Sequence, residues 1–192
     1  MRRKTFESYC TIFPGERDGL GLLERQLADD EDLQNRATLP GHITASAIVL
    51  SPDRTRIAVV HHNTLDKWLA PGGHWDKGDS NPLAAARREA DEEIGVELEM
   101  YIPLAAQDHE VPLDIDSHDI PANPAKQEPA HVHHDFRYTF VAGSEDLKND
   151  DDGVDGAEWA ELDDPRLHMP RVVSKLRQLK LVHTSVVHNF DD

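Results

Sequence analysis

The stretch Leu69-Ala70-Pro71-Gly72-Gly73-His74-Trp75-Asp76-Lys77-Gly78-Asp79 continues through Ser80-Asn81-Pro82 to Arg88-Glu89-Ala90-Asp91-Glu92-Glu93-Ile94-Gly95-Val96. It spells a strand end, a glycine loop and a helix. Asn81 suits a helix N-cap, and Pro82 suits the first helical position, whose N–H needs no partner. Gly95 is placed to close the helix in the left-handed C′ conformation. Between them Leu83, Ala86, Ala90 and Ile94 recur at spacings of three, four and four, an apolar stripe that docks the helix on a sheet. Glu89, Glu92 and Glu93 fall at i, i+3 and i+4, so the three carboxylates share one face. Like charges so placed repel, and negative charge near a helix C-terminus opposes the macrodipole. A solvated acidic helix end explains them less well than a compensating cation. Hard oxygen ligands of this kind suit Mg²⁺ or Mn²⁺.

Outward from this centre, the run from Ile43 to Leu50, the turn Ser51-Pro52-Asp53-Arg54 and the run Arg56 to His62 predict a strand, turn, strand unit. Trp68-Leu69 then leads into the glycines. Downstream, Val96 to Ile102 alternates apolar with acidic residues, and further strands are expected over Leu113 to Ile120, over His131 to Ala142 and through Ala157 and Trp159. Three prolines between Pro121 and Pro129 forbid regular structure there. An acidic turn is expected at 148–153. A helix over Asp18 to about Asn35, carrying Leu20, Leu23, Leu27 and Leu33, precedes the first strand. A last helix within Pro165 to Val182 should turn Val172, Val173, Leu176 and Leu179 inward.

The 192 residues suit a single domain, with residues 1–40 as an N-terminal helical extension. A net charge of −17 argues against a surface built for long nucleic acid. It leaves room for a small phosphate compound bound through backbone N–H groups and divalent ions. Cys10 is the one cysteine, which points to a reducing, cytoplasmic setting. The basic Met1-Arg2-Arg3-Lys4 start lacks the apolar run of a secretion signal, and nothing reads as a membrane span.

These residues resemble the Nudix hydrolase signature: a glycine, five residues, a glutamate, seven residues, then Arg-Glu, an apolar residue, any residue, Glu-Glu, any residue, Gly and an apolar residue. Arg88 through Val96 matches its second half in full. The first half departs twice, with Asp79 standing where the family has Glu and eight residues rather than seven before Arg88. An extra residue around Ser80-Asn81-Pro82 accounts for the spacing. The resemblance implies an α/β fold, a Nudix-like α/β/α sandwich with a mixed sheet. It also implies hydrolysis of a nucleoside diphosphate linked to another group, here a nucleotide sugar or an ADP-ribose-like compound. Carried over by position, Glu89, Glu92 and Glu93 bind the ions, the carbonyl of Gly72 adds a ligand, and Arg88 orients a glutamate. Glu92, Glu93 and the loop residue Glu128 are all candidates for the base. Gly73, His74 and Asp79 belong to the box loop, where His74 and Trp75 line the site or merely pack. Dimerisation is common in the resembling family, and the segment up to Arg36 is a candidate homodimer surface. The competing readings are a non-catalytic nucleotide sensor and an isoprenoid diphosphate isomerase; the intact acidic set disfavours the first, and the placing of Cys10 disfavours the second.

A second constellation lies downstream. Asp114, Asp116 and His118 alternate along one expected strand, and His131, His133 and Asp135 along the next. If His118 pairs with His131, then Asp116 meets His133 and Asp114 meets Asp135, which puts six metal-capable groups on one face. Arg137 follows as a phosphate partner. An accessory metal or substrate-contacting cluster is one reading, and a hydrogen-bonded ladder or solvated face the other. His42, His61, His62, His168, His183 and His188 read as ordinary.

Overall fold

The computed structural model describes residues 3–63, 65–104, 108–148 and 154–183. Residues 149–153 of the acidic turn expected at 148–153, and His188, lie outside these residues. The helices are α1 (Arg3–Ile12), α2 (Gly21–Ala28), α3 (Pro82–Ile94) and α4 (Pro170–Gln178). The strands are β1 (Gly41–Leu50), β2 (Arg56–His62), β3 (Lys67–Leu69), β4 (Gly72–His74), β5 (Leu98–Tyr101), β6 (Asp114–Ile120), β7 (His131–Ala142) and β8 (Val154–Glu161). All eight strands join one mixed sheet. Its spine is the parallel pairing of β1 with β7 from Gly41↔Val132 to Leu50↔Val141, flanked by antiparallel β2, β4, β5 and β6.

Alternation along β1 sorts the two faces. Ile43, Ala45, Ala47 and Val49 pack with Phe136, Tyr138 and Phe140 against Phe6, Tyr9 and Leu23 of the entry helices and Ala86, Ala90 and Ile94 of α3. Ile48 and Leu50 pack on the other face with Val172, Val173 and Leu176 of α4. The architecture is thus the expected α/β/α sandwich with a mixed sheet. Because α4 covers the second face only at the Leu50 end, the row His42, Thr44 and Ser46 on that face is left for polar business.

The entry segment differs from expectation. A 3-10 turn over Pro14–Leu20 precedes α2, which ends at Ala28, so Leu33 is buried from a loop rather than a helix. α1 was unforeseen, since Lys4, Glu7 and Ser8 interrupt its apolar positions, yet Phe6, Tyr9 and Cys10 are buried. In the last helix Leu179 falls beyond Gln178 and is 38% exposed. Among the described residues no helix is long and apolar enough to cross a membrane.

Candidate active site

Helix α3 begins and ends as its punctuation dictates. The Asn81 side chain accepts from the Ala84 N–H at 2.8 Å, and Gly95 closes the helix at φ 53°. The apolar stripe holds with Ala85 added, and Leu83 is only partly buried. Ala45 and Ser46 of β1 crowd Gly72, where a Cβ would sit 2.7 Å from the Ala45 carbonyl oxygen, and a Cβ on Gly73 would overlap the Glu89 carboxylate. Only residues without Cβ let the helix and the β4 edge approach this closely.

The carboxylates are held from two directions. The Gly72 N–H donates to Glu93 Oε2 at 3.0 Å. Arg88 reaches Asp79 at 3.1 Å, Glu89 at 2.9 Å and Glu92 at 2.8 Å, and donates to the His74 carbonyl at 3.0 Å. Asp79, shorter than the family glutamate, is 8% exposed in its side chain and also accepts from the Asp76 N–H. It anchors Arg88 to the loop. Glu89 is 14% exposed, and burial above all raises its pKa, against the lowering pull of Arg88. Glu92 is the most open, at 51%. Glu128 is paired with Arg36 at 2.7 Å, beside the Asn123↔Glu128 bridge, and its charge acts on His74 of the box loop. A cavity of about 340 Å³ opens between the entry segment and Trp75, but none of the α3 carboxylates lines it.

The β6–β7 hairpin keeps the expected face but not the expected partners. Its register pairs Asp114 with Arg137, Asp116 with Asp135, His118 with His133 and Ile120 with His131. The offset from expectation is two residues, and a two-residue shift preserves faces because side chains alternate with period two. The aspartates, however, hold cations of the protein itself. Arg137 reaches Asp135 at 2.8 Å, Asp116 at 3.0 Å and Asp114 at 3.1 Å. From α4, Arg171 and Lys175 each reach Asp114 at 2.7 Å. Asp114 is fully buried, yet its pKa is lowered, the cationic partners outweighing desolvation. Asp116 is lowered too, through His118 first, whose own pKa its carboxylate raises. Six ligands in one metal cluster is therefore wrong: Asp114, Asp116 and Asp135 form an ion-pair network, with His118 tied to its edge. Arg171 and Lys175 carry no local signal for this role, since the apolar stripe of α4 sets only which face is buried and the aspartates they meet lie on a distant strand.

His131 and His133 separate from the aspartates and join His42, which the sequence alone reads as ordinary. One nitrogen from each of these three rings lies within 4.8 Å of the others, the one such group of three or more metal-capable side chains among the described residues. Burial foremost, then neighbouring rings, lowers the pKa of His42 to about 4 and of His133 to about 3, so both are neutral at pH 7. His74 of β4 stacks on His42 at 5.3 Å, which brings the box loop to this row. The hint was present in β1, where His42, Thr44 and Ser46 alternate onto one face.

Comparison with known proteins follows the same lines. A family model of the NUDIX domain matches residues 40–180, so the match begins after α1 and α2. The chain is 34% identical over 96 residues to a probable DHNTP pyrophosphohydrolase of Lactococcus lactis subsp. cremoris (strain MG1363), a match covering 50% of this chain and 51% of that protein. It thus spans about half the length of that curated relative. A NUDIX-family hydrolase from Clostridium perfringens superposes with a TM-score of 0.54 at 18% identity, over 73% of this chain and 97% of the other. The dihydroneopterin triphosphate pyrophosphohydrolase of E. coli gives 0.52 at 12% identity, over 72% and 94%. At such identities these likenesses speak for the fold.

Proposed function

The chain belongs to the Nudix family, and on that premise we propose that it is a divalent-metal-dependent pyrophosphohydrolase, cleaving the diphosphate linkage of a small nucleotide derivative by water attack on phosphorus. The observation that carries this reading is the gathering of Glu89 and Glu93 at the glycine pair, with Arg88 bracing Glu89 and Glu92. The donor set fits a hard ion: carboxylates on one helix face, one of them partly buried with a raised pKa, and the Arg88 guanidinium shared among Asp79, Glu89 and Glu92. Glu89, Glu92, Glu93 and the Gly72 carbonyl would hold Mg²⁺ or Mn²⁺. When bound, such an ion neutralises phosphate oxygens and acidifies water.

The rest belongs to the chain. Phosphoryl transfer asks mainly for positioning and charge neutralisation. Arg88, pinned by Asp79 and the His74 carbonyl, fixes two carboxylates relative to the loop. The Gly72 N–H fixes Glu93. Glu92, open to solvent, and Glu93 are the stronger candidates to take the water's proton; Glu128 must first release Arg36.

Nucleotide sugars and ADP-ribose-like compounds are the substrate class proposed, and dihydroneopterin triphosphate joins the test because two similar proteins are named for it. The test is a panel of these compounds with Mg²⁺ and with Mn²⁺, beside the Glu92→Gln, Glu93→Gln variant. Turnover by wild type alone is the expected result. Equal turnover by both would sink the assignment, and binding without turnover by wild type would point to a sensor.

A further inference from the structure

We infer that His42, His131 and His133 form a second metal site, separate from the box carboxylates, that takes a nitrogen-preferring divalent ion of the Zn²⁺ class. Three observations converge on it. First, two of the ring nitrogens already sit at coordination spacing and the third is close by. His131 Nε2 and His133 Nε2 are 3.1 Å apart, and zinc–imidazole bonds of about 2.0–2.1 Å in a tetrahedron set neighbouring nitrogens roughly 3.3 Å apart. A nitrogen of His42 lies within 4.8 Å of one nitrogen on each of the other two rings.

Second, the tautomer of His131 is set. Its Nδ1 is 2.9 Å from the Pro129 carbonyl, which can only accept, so Nδ1 carries the proton and Nε2 presents its lone pair toward the group. A backbone carbonyl behind the ligating ring is the usual way such a nitrogen is oriented. Third, His42 is 2% exposed and neither ring nitrogen has a hydrogen-bond partner, although the Thr38 backbone is near enough to pull on the ring. A buried polar ring with no well-formed hydrogen bond leaves most of its desolvation cost unanswered. An ion among the three rings gives it one.

Register explains why the site exists. His42 lies directly opposite His133 across the parallel β1–β7 pair, and His131 is two residues back on the same face. Imidazole donors suit Zn²⁺, Co²⁺, Ni²⁺ or Cu²⁺, whereas Mg²⁺ prefers oxygen. Three protein nitrogens leave a four-coordinate ion one further position. His74, stacked on His42 and edge-on to His133 at 5.3 Å, borders it, so the ion would sit beside the box loop.

The site does not depend on the hydrolase reading, and its test needs no turnover. The tag-free full chain, stripped with chelator, is titrated with Co²⁺ while the visible ligand-field bands are followed, and with Zn²⁺ against a chromophoric chelator. One equivalent should bind tightly. His133→Ala and the partly exposed His131→Asn should each weaken Zn²⁺ by at least about 100-fold, with the fold checked by circular dichroism. His118→Ala and Glu92→Gln, Glu93→Gln should keep the site. Zn²⁺ at about 100 times its dissociation constant should raise the wild-type Tm by roughly 5–10 °C and leave that of His131→Asn in place. Unchanged Zn²⁺ affinity in the histidine variants, or loss in the glutamate variant instead, overturns the proposal, as does a wild type that takes no ion. Failure of Mg²⁺-dependent hydrolysis would strike the function proposed above and leave this site standing.

Discussion

Helix α3 and the β6–β7 hairpin are both dense in carboxylates, yet they do opposite things with them. On α3 one cation, Arg88, serves Asp79, Glu89 and Glu92. At the hairpin, Arg137, Arg171 and Lys175 serve Asp114, Asp116, Asp135 and Glu16. The pKa directions follow: burial raises Glu89, while Arg171 and Lys175 hold Asp114 down and the His118 hydrogen bond, then Arg137, holds Asp116 down. A carboxylate cluster short of counter-charge suits the metal site proposed for α3, and one matched by the protein's own cations is a structural strut. Lys175 shows the second case, 4% exposed and donating to Tyr9, Glu16, Asp114 and the Leu113 carbonyl, so that α1, α4 and β6 meet at one ammonium.

The contrast can be broken most forcefully at that lysine. Lys175→Met leaves Asp114 buried with less compensation, and breaking such a pair costs about 3–5 kcal/mol; chemical denaturation should show it, with folded protein still turning over substrate. Glu93→Gln should do the reverse, cutting kcat by about a thousandfold, a loss of several kcal/mol in transition-state stabilisation, with Tm kept. Gly73→Ala should cost about a hundredfold in kcat, because the added Cβ drives the Glu89 carboxylate aside; a full-rate variant would show that Glu89's placement is immaterial.

Acid titration separates the two regions by sign. Asp114 and Asp116 have lowered folded pKa values, so their contribution is whole above the unfolded value of about 3.9 and is lost as pH falls through the folded ones. Glu89, with a raised folded pKa, destabilises when ionised and is relieved by protonation. Glu89→Gln should therefore raise Tm at pH 7, while Asp114→Asn should lower it there and flatten the fall in stability below pH 4. The smallest effect belongs to the exposed Arg36–Glu128 pair: Arg36→Ala should change stability by less than about 1 kcal/mol. If it alters the pH profile of kcat instead, Glu128 takes part in proton transfer.

Much of this was legible in local chemistry. The Asn81 cap, the Gly95 terminus and the period of Leu83, Ala86, Ala90 and Ile94 announce α3 because capping and periodicity are short-range. Strand alternation likewise assigned Asp114, Asp116, His118, His131, His133, Asp135 and Arg137 to one face. The pairing register did not follow, because a shift of two residues leaves every face unchanged and alternation cannot detect it. Helix α1 was missed because its burial comes from where it docks rather than from a clear apolar period. Its Tyr9 finds Lys175 from 166 residues away.

By itself, then, the sequence determined the mixed α/β layering, the loop-helix with its three glutamates and the glycines that let them approach, all properties of neighbours along the chain. Tertiary structure alone decided which charges are answered. It set Arg171 and Lys175 against the hairpin aspartates, turned Arg88 of α3 onto Asp79, Glu89 and Glu92 while Arg87 lies over Phe140, and brought His42 across a parallel strand pair to His131 and His133. Compensation of charge and coordination spacing depend on distances between segments far apart in sequence, and only the packed sheet fixes those distances.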